Sequence, residues 1–433
     1  EQLAGGGSAD WQRNRFCLIV ASVSGGLSHL RVCDLGGQLA GAGATKILAA
    51  FGAEVIRVED PATRGMWDAL RGVGPFVDER RGVNLGGGFN NHNVGKLGVT
   101  INLRADAGKQ LMRELIAVSD IVCENFAAGV LDRMGFGYNE LQRIKPDVIY
   151  VSNCGFGHTG PYRDFKTWGP VVQALSGLTF TAGLPDSEPA GWGFSYMDHI
   201  AACYMVVGIL AAVHHREHTG EGQHVDLATV PAGIAMLPTE VLDWTVNKRP
   251  ARRPGSPDGN HADFGEMAPH AIYPCLGEDR WIAIACRDDR DVALLAKVID
   301  EPELAADRFA TLEQRLSAAD ELDELISACT RTREAPLLAS ELTAAGVPAS
   351  VVKSPRERID EDPDLAEWGL FPTVHHAEIG TVRVEGLPLR LSASPWSISR
   401  AAPCLGEHNR EVLGGLLGHS EQELDELTRQ GVI

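Results

Sequence analysis

Ser195-Tyr196-Met197-Asp198 stands directly before a long apolar run, Ile200 to His215, and a carboxylate in that place has two uses. Serine and aspartate three residues apart have the spacing of a capping box, so that Ser195 caps a helix and Asp198 complements its positive end. The same end stabilises an ionised carboxylate, the form that attacks a carbonyl carbon. Spacing leaves both uses open, and capping is the commoner one.

Two glycine-rich turns invite phosphate chemistry. In the first, Gly36-Gly37-Gln38-Leu39-Ala40-Gly41-Ala42-Gly43, a dinucleotide reading would use Glu59 to hold a ribose, but Lys46 occupies the place where the motif needs a small residue. Glycines that let a helix pack closely on its sheet account for it better. The second, Gly155-Phe156-Gly157-His158-Thr159-Gly160, lacks the Gly-Lys-Ser/Thr ending of a triphosphate loop. It fits either an ordinary connection or a segment that closes over a reactive intermediate. His158, His199, His214, His215, His218 and His224 lack metal-ligand spacing with a carboxylate, so no metal is expected.

These residues need a frame. Leu30 to Leu35 reads as a short buried strand, Leu39 to Phe51 as a helix ended by Gly52, and Ala53 to Glu59 as a second strand, which completes a βαβ unit. The pattern recurs with strand Val99 to Leu103, helix Ala107 to Ser119, strand Ile121 to Cys123, helix Tyr138 to Ile144 and strand Val148 to Ser152. Such alternation implies a parallel sheet covered on both faces. Past a stretch dense in Pro, Gly, Arg and Asp at Asn247 to Asp263, strand Trp281 to Ala285 and helices over Asp291 to Ile299, Ala318 to Cys329 and Ala335 to Ala345 form a second region. Two β-like pieces, Val351-Val352 and Thr381 to Val384, follow, and a last helix from Asn409 to Gly418 closes the chain.

A length of 433 residues suggests two or three domains. A net charge of −19 repels nucleic acid and anionic membranes, and no basic patch exceeds Lys248 to Arg253, so any phosphate site must be local. Nine scattered cysteines without a C-x-x-C pair suggest reduced thiols in a cytoplasm. The apolar run Phe16 to Val23 is too short to span a bilayer. Residues 1–27 read as an N-terminal extension in which Gly5-Gly6-Gly7-Ser8 is flexible.

Longer segments resemble the family III CoA-transferases, a group that includes formyl-CoA:oxalate, carnitine and benzylsuccinate CoA-transferases and, as a branch, the α-methylacyl-CoA racemases. The resemblance rests on Leu30 to Leu35 with Ala40-Gly41, Gly52 to Glu59, Asn93 to Leu103, Glu124-Asn125-Phe126 and Leu131 to Gly135. It continues through GFGHTGPY at Gly155, Val171 to Gly177, HREHTGEGQHVDLA from His215, Ala345 to Pro348 and Ala402 to His408, so it spans nearly everything from residue 28 onward. The order and spacing of many separate segments agree, which makes it specific.

The resemblance implies an α/β fold with a Rossmann-like large domain and a smaller α+β domain, in an interlocked dimer. The implied division is a large domain at 28–230, a linker at 231–263, the small domain at 264–355, a return linker at 356–394, and the rest of the large domain at 395–433. The family's nucleophilic aspartate lies 25 residues after the glutamine of its V-x-Q segment, and from Gln173 that count reaches Asp198. A carboxylate nucleophile keeps the thioester's activation, first as a mixed anhydride and then as an aspartyl thioester. Leu39, Asn125, Phe126, Arg133 and Lys166 match CoA contacts, and Trp168 stands where an aromatic shapes the acyl pocket. Of the family's glycine-rich lid only Gly265 is kept, and Asp60 replaces a basic residue near the nucleotide. The racemases' acid/base aspartate corresponds to Gly169.

No permanent cofactor is implied; the CoA thioester is a substrate, with a small carboxylic acid as its partner. The wording from Gly191 to His199 is closest to the benzylsuccinate-type branch, which points to succinyl-CoA as donor and to a homodimer or a heterodimer with a related subunit. The alternatives are a non-catalytic CoA-binding subunit and a racemase or isomerase.

Overall fold

The computed structural model describes residues 25–184, 187–254, 259, 261 and 267–433. The glycine tetrad at Gly5 and the expected lid glycine, Gly265, lie outside these residues.

The first half runs β1 (Arg31–Asp34), α1 (Ala40–Ala50), β2 (Glu54–Glu59), α2 (Gly87–His92), β3 (Leu97–Thr100), α3 (Asp106–Ala117) and β4 (Ile121–Glu124). It continues with α4 (Val130–Arg133), α5 (Tyr138–Ile144), β5 (Ile149–Cys154), α6 (Gly169–Ser176), α7 (Leu178–Thr181), α8 (Tyr196–Thr219) and β6 (His224–Ala228). The six strands form one sheet in the order β3-β2-β1-β4-β5-β6, parallel throughout. Alternate strand residues go to opposite faces. Cys33, Ile56, Val58 and Val122 join a core under α3 and α5, while Val32, Val55, Ile121 and Val151 pack beneath α1 and α8.

After β1 the chain moves to one side of the sheet, and for β4 it crosses to the other. The loops leaving β1 and β4 therefore diverge and open a crevice at the carboxyl ends of the strands, where ligands of doubly wound sheets bind. Small residues let the elements close up beside it. A Cβ on Gly41 would stand 2.7 Å from the Gly36 Cα, and one on Gly208 would stand 2.8 Å from a Val225 methyl. The glycines of the first turn thus serve close packing, and Glu59 is held at both oxygens by Arg71 (2.7 and 2.5 Å), so it is not free for a ribose.

α9 (Thr229–Ile234) and α10 (Pro238–Leu242) lead to the second region, which comprises β7 (His270–Pro274), β8 (Trp281–Ala285), α11 (Asp289–Ile299), α12 (Leu312–Ser317), α13 (Ala319–Thr330), α14 (Ala335–Ala345) and β9 (Ala349–Val351). Its strands form an antiparallel sheet, β7-β8-β9, with an apolar core of its own. The chain then forms α15 (Pro363–Trp368), the hairpin of β10 (Thr373–His376) and β11 (Gly380–Arg383), and α16 (Glu421–Arg429). The expected last helix is a wide-turned one at Arg410–Leu416 and does not close the chain; α16 follows it, started by a full capping box between Ser420 and Glu423. The C-terminal segment returns to the large sheet and blunts its edge. Gly98 N donates to His408 Nδ1 (3.1 Å), Thr100 N to Asn409 Oδ1 (2.8 Å) and Asn102 N to the Val432 carbonyl (2.8 Å), so β3 offers fewer free groups to a foreign strand.

Candidate active site

The crevice holds a cavity of about 420 Å³. Gln38, Leu39 and Ala40 reach it from the turn after β1, Asn125 to Ala127 from the turn after β4, Asn153 to Gly155 from the end of β5, and Thr229 from the end of β6. The start of α6 and the start of α8 form the opposite wall. Among the described lining residues Asp198 is the one anion and Lys166 the one ordinary cation. A mostly neutral cavity with a single carboxylate suits covalent chemistry at a carbonyl more than tight binding of a charged group.

Asp198 lies on the first turn of α8, as expected, but the capping box does not form. Ser195 makes no side-chain bond to the helix backbone; its hydroxyl stands next to the Asp198 carboxylate, each oxygen 2.6 Å from where a Cβ on Gly169 would lie. Burial pushes the Asp198 carboxyl up to about 6, and the Ser195 hydrogen bond pulls it back toward the usual carboxylate range. The carboxylate is thus ionised at neutral pH and poorly solvated, which is the state of a reactive nucleophile. Gly169 opens α6 against it: a Cβ there would stand 2.6 Å from Asp198 Oδ2. No carboxylic side chain fits at that position without displacing Asp198.

Leu39, Asn125, Phe126, Lys166, Trp168 and Asp198 come together around this one cavity. Asn125 is committed to the frame, because its Oδ1 accepts from Gly37 N (2.6 Å) and its Nδ2 donates to the Gly37 carbonyl (3.0 Å). Its amide therefore ties the β1 and β4 turns together across the switch point. Phe126 is seated by Glu124, which accepts from Phe126 N (2.6 Å) and from the Tyr150 hydroxyl (2.7 Å). Arg133 stands apart, exposed on α4 outside the cavity lining.

Phe126 also walls a second, narrower cavity of about 200 Å³, with Trp67, Ile101, Leu103 and Met134 as its apolar sides. Arg133 directly precedes Met134 but is not among the residues that line this slot either. Asp60 lies on it and faces Arg104 at 3.8 Å. A cation is therefore present at the mouth even though position 60 is acidic.

The Gly155 loop is tied down at its start. Val230 N donates to the Gly155 carbonyl and His158 N to Asp226 Oδ2, both at 2.8 Å, and the rings of Phe156, Tyr162 and Phe165 pack together. Its far end carries Phe165, Lys166 and Trp168 to the cavity, where the two aromatics are exposed.

Comparison with known proteins shows the family of the chain. Residues 27–409 match the family model described as CoA-transferase family III. The chain belongs to CoA-transferase family III. It is 34% identical over 408 residues to the succinyl-CoA–D-citramalate CoA-transferase of Chloroflexus aurantiacus, with 94% of this chain and 98% of the relative covered. It is 35% identical to the formyl-CoA:oxalate CoA-transferase of Streptomyces avermitilis, with 94% and 99% covered. Among solved structures, a CaiB/BaiF family protein from Brucella suis superposes with a TM-score of 0.82 at 30% identity, covering 91% of this chain and all of that one. This family III enzyme is accordingly an acyl-CoA:carboxylate CoA-transferase.

Sequence reasoning missed several residues that line this cavity. Gln38, Phe194, Ser195 and Thr229 all line the cavity. Gln38 holds a left-handed backbone (φ 53°), a conformation that only the surrounding fold imposes. Thr229 follows β6, a strand whose residues are half-exposed and so gave no apolar pattern.

Proposed function

We propose that the enzyme moves CoA from succinyl-CoA to a small carboxylic acid through covalent intermediates on Asp198. The observation that carries this reading is the partly desolvated, ionised carboxylate of Asp198 at the end of a neutral cavity. Asp198 attacks the thioester carbonyl; a C–O bond forms, the C–S bond breaks, and CoA leaves as a thiolate. The thiolate then attacks the Asp198 carbonyl of the resulting anhydride, which releases succinate and leaves an aspartyl thioester. The acceptor carboxylate attacks that thioester to give a second anhydride and free the thiolate, which takes the acceptor acyl group and restores Asp198. Every linkage is as activated as the first, so the thioester's energy is kept.

In this reading the slot beside Phe126 takes the flat adenine ring, with Arg104 on its lining to meet phosphate. Lys166 pairs with a carboxylate or phosphate oxygen of the bound thioester. Gly169 favours transfer over racemisation, since no acid/base side chain fits beside Asp198. The succinyl donor is supported by the named donor of the Chloroflexus relative. Incubation with succinyl-CoA and a panel of hydroxy- and dicarboxylic acids, with products read by mass spectrometry, tests it; CoA esters formed only from a different donor would overturn the succinyl assignment.

The pH profile follows from Asp198. Its carboxyl titrates near 6, so below that pH it is protonated and cannot attack. We expect kcat/KM to fall about tenfold per unit on the acid side of pH 6 and to level off above it; a profile flat down to pH 4.5 would contradict this.

We also infer that a second copy covers α6, α8 and α10. α8 buries Met205, Ile209 and Ala212 on the sheet yet exposes Tyr204, Val207 and Leu210. Nearby, Leu175, Leu242 and Trp244 are exposed as well. A helix apolar all round is a buried one, so this face needs a partner. Val207→Glu is expected to convert a dimer to monomer in sedimentation equilibrium; an unchanged mass would count against this face. The eight described cysteines are all free, which accords with a cytoplasmic setting.

A further inference from the structure

We propose that Ser195 is a positioning residue for the nucleophile, holding the Asp198 carboxylate in the space left by the missing side chain of Gly169. This rests on the assignment of Asp198 as nucleophile and goes beyond it, because neither the capping spacing nor the family resemblance gives Ser195 a role in the reaction.

Three atoms crowd one point. A Cβ on Gly169 would stand 2.4 Å from Ser195 Cβ, 2.6 Å from Ser195 Oγ and 2.6 Å from Asp198 Oδ2. Ser195 and Asp198 therefore share one small volume under the first turn of α6, and only glycine leaves it free. Asp198 N is bonded to the Ser195 carbonyl at 3.0 Å, so the two residues are also fixed through the backbone. The Ser195 hydroxyl makes no bond to the backbone at the helix start, and its place next to Asp198 Oδ2 lets it donate to the carboxylate.

A single hydroxyl ties one carboxylate oxygen and leaves the other to attack, which fixes the carboxylate plane against the incoming thioester. The hydrogen bond also favours the ionised form. The other ionisable groups lining the cavity are Lys166 on the loop before α6 and Cys154 at the end of β5, and His199 follows Asp198 on α8. None of them exerts a charge effect on Asp198, whose environment reduces to burial on one side and Ser195 on the other. Ser195 is thus the one described group that offsets burial of the nucleophile.

The test compares the parent enzyme with Ser195→Ala, Ser195→Cys and Ser195→Thr, with succinyl-CoA as donor. Removing a hydrogen bond to a charged group is expected to lower kcat about ten- to a hundredfold, with KM for acyl-CoA unchanged. The acid limb of kcat/KM should move to higher pH. Ser195→Thr, which keeps the hydroxyl, should recover most of the rate. Ser195→Cys keeps the side-chain size with a weaker donor and should behave like alanine, so the idea stays testable if the alanine variant folds poorly. An unchanged acid limb in both alanine and cysteine variants overturns the role of Ser195. Failure of the parent enzyme to form any Asp198 adduct overturns the nucleophile assignment instead, so the two failures are distinct.

Discussion

Asp198→Asn is expected to stop exchange of CoA between two carboxylic acids, lowering turnover by roughly a thousandfold or more while acyl-CoA still binds. The amide is nearly isosteric with the carboxylate, and Ser195 can still bond to its oxygen, so the local fold should stay intact. What is lost is the nucleophile: an amide neither attacks the thioester nor forms an anhydride that CoA can reopen. Binding should survive because the slot proposed to take the nucleotide, at Trp67, Leu103 and Phe126, shares only Phe126 with the cavity that holds Asp198. Isotope exchange between labelled and unlabelled acid measures the loss, and isothermal titration with CoA measures the retained affinity. Exchange within tenfold of the parent rate would place the chemistry elsewhere.

Asp34→Ala is expected to cost about 3–5 kcal/mol of stability. Asp34 ends β1 and is fully buried, as are Lys96 and Arg57 beside it. Its oxygens accept from Gly36 N (2.8 Å), Thr45 Oγ1 (2.8 Å) and Lys96 Nζ (3.0 Å), and Arg57 lies 3.9 Å away. Burial pushes the Lys96 ammonium down to about 8, and Asp34 is what pulls it up. Without the carboxylate the lysine is left buried without its anion, and the glycine turn that carries Gln38 and Leu39 into the cavity loses its anchor. Against a typical total of about 5–15 kcal/mol this is a large share. Denaturant unfolding followed by circular dichroism should show it; a change below about 0.5 kcal/mol, ordinary for surface substitutions, would mean that the network contributes little.

The alternation from β1 through β5 was legible because each strand is a short apolar run and each helix ends on a clear signal, as α1 does near Gly52. Strand order was not, since nothing local tells β4 to cross to the far side of β1. β6 escaped notice because His224–Ala228 carries a histidine and an aspartate and buries none of its residues fully. α16 was missed despite its capping signal at Ser420 and Glu423, because seven of its nine residues are polar or charged and Leu424 alone is fully buried.

The site divides in the same way. Asp198 was picked out as the candidate nucleophile by its offset from Gln173, not by any property of its own segment. That Asn125 spends its amide on Gly37 is a contact between residues 88 apart, invisible to a reading by neighbours. Ser195 was assigned to the helix end, the commonest use of a serine before an aspartate at that spacing. Only the approach of Gly169 from α6 shows that its hydroxyl and the carboxylate crowd the same point.

The most direct measurement is peptide mass spectrometry of the parent enzyme incubated with succinyl-CoA and quenched with hydroxylamine. Both the anhydride and the aspartyl thioester convert to a hydroxamate, which is expected on Asp198, absent without succinyl-CoA and absent in Asp198→Asn. CoA transfer at the parent rate with an unmodified Asp198, or a hydroxamate on another residue, would contradict it.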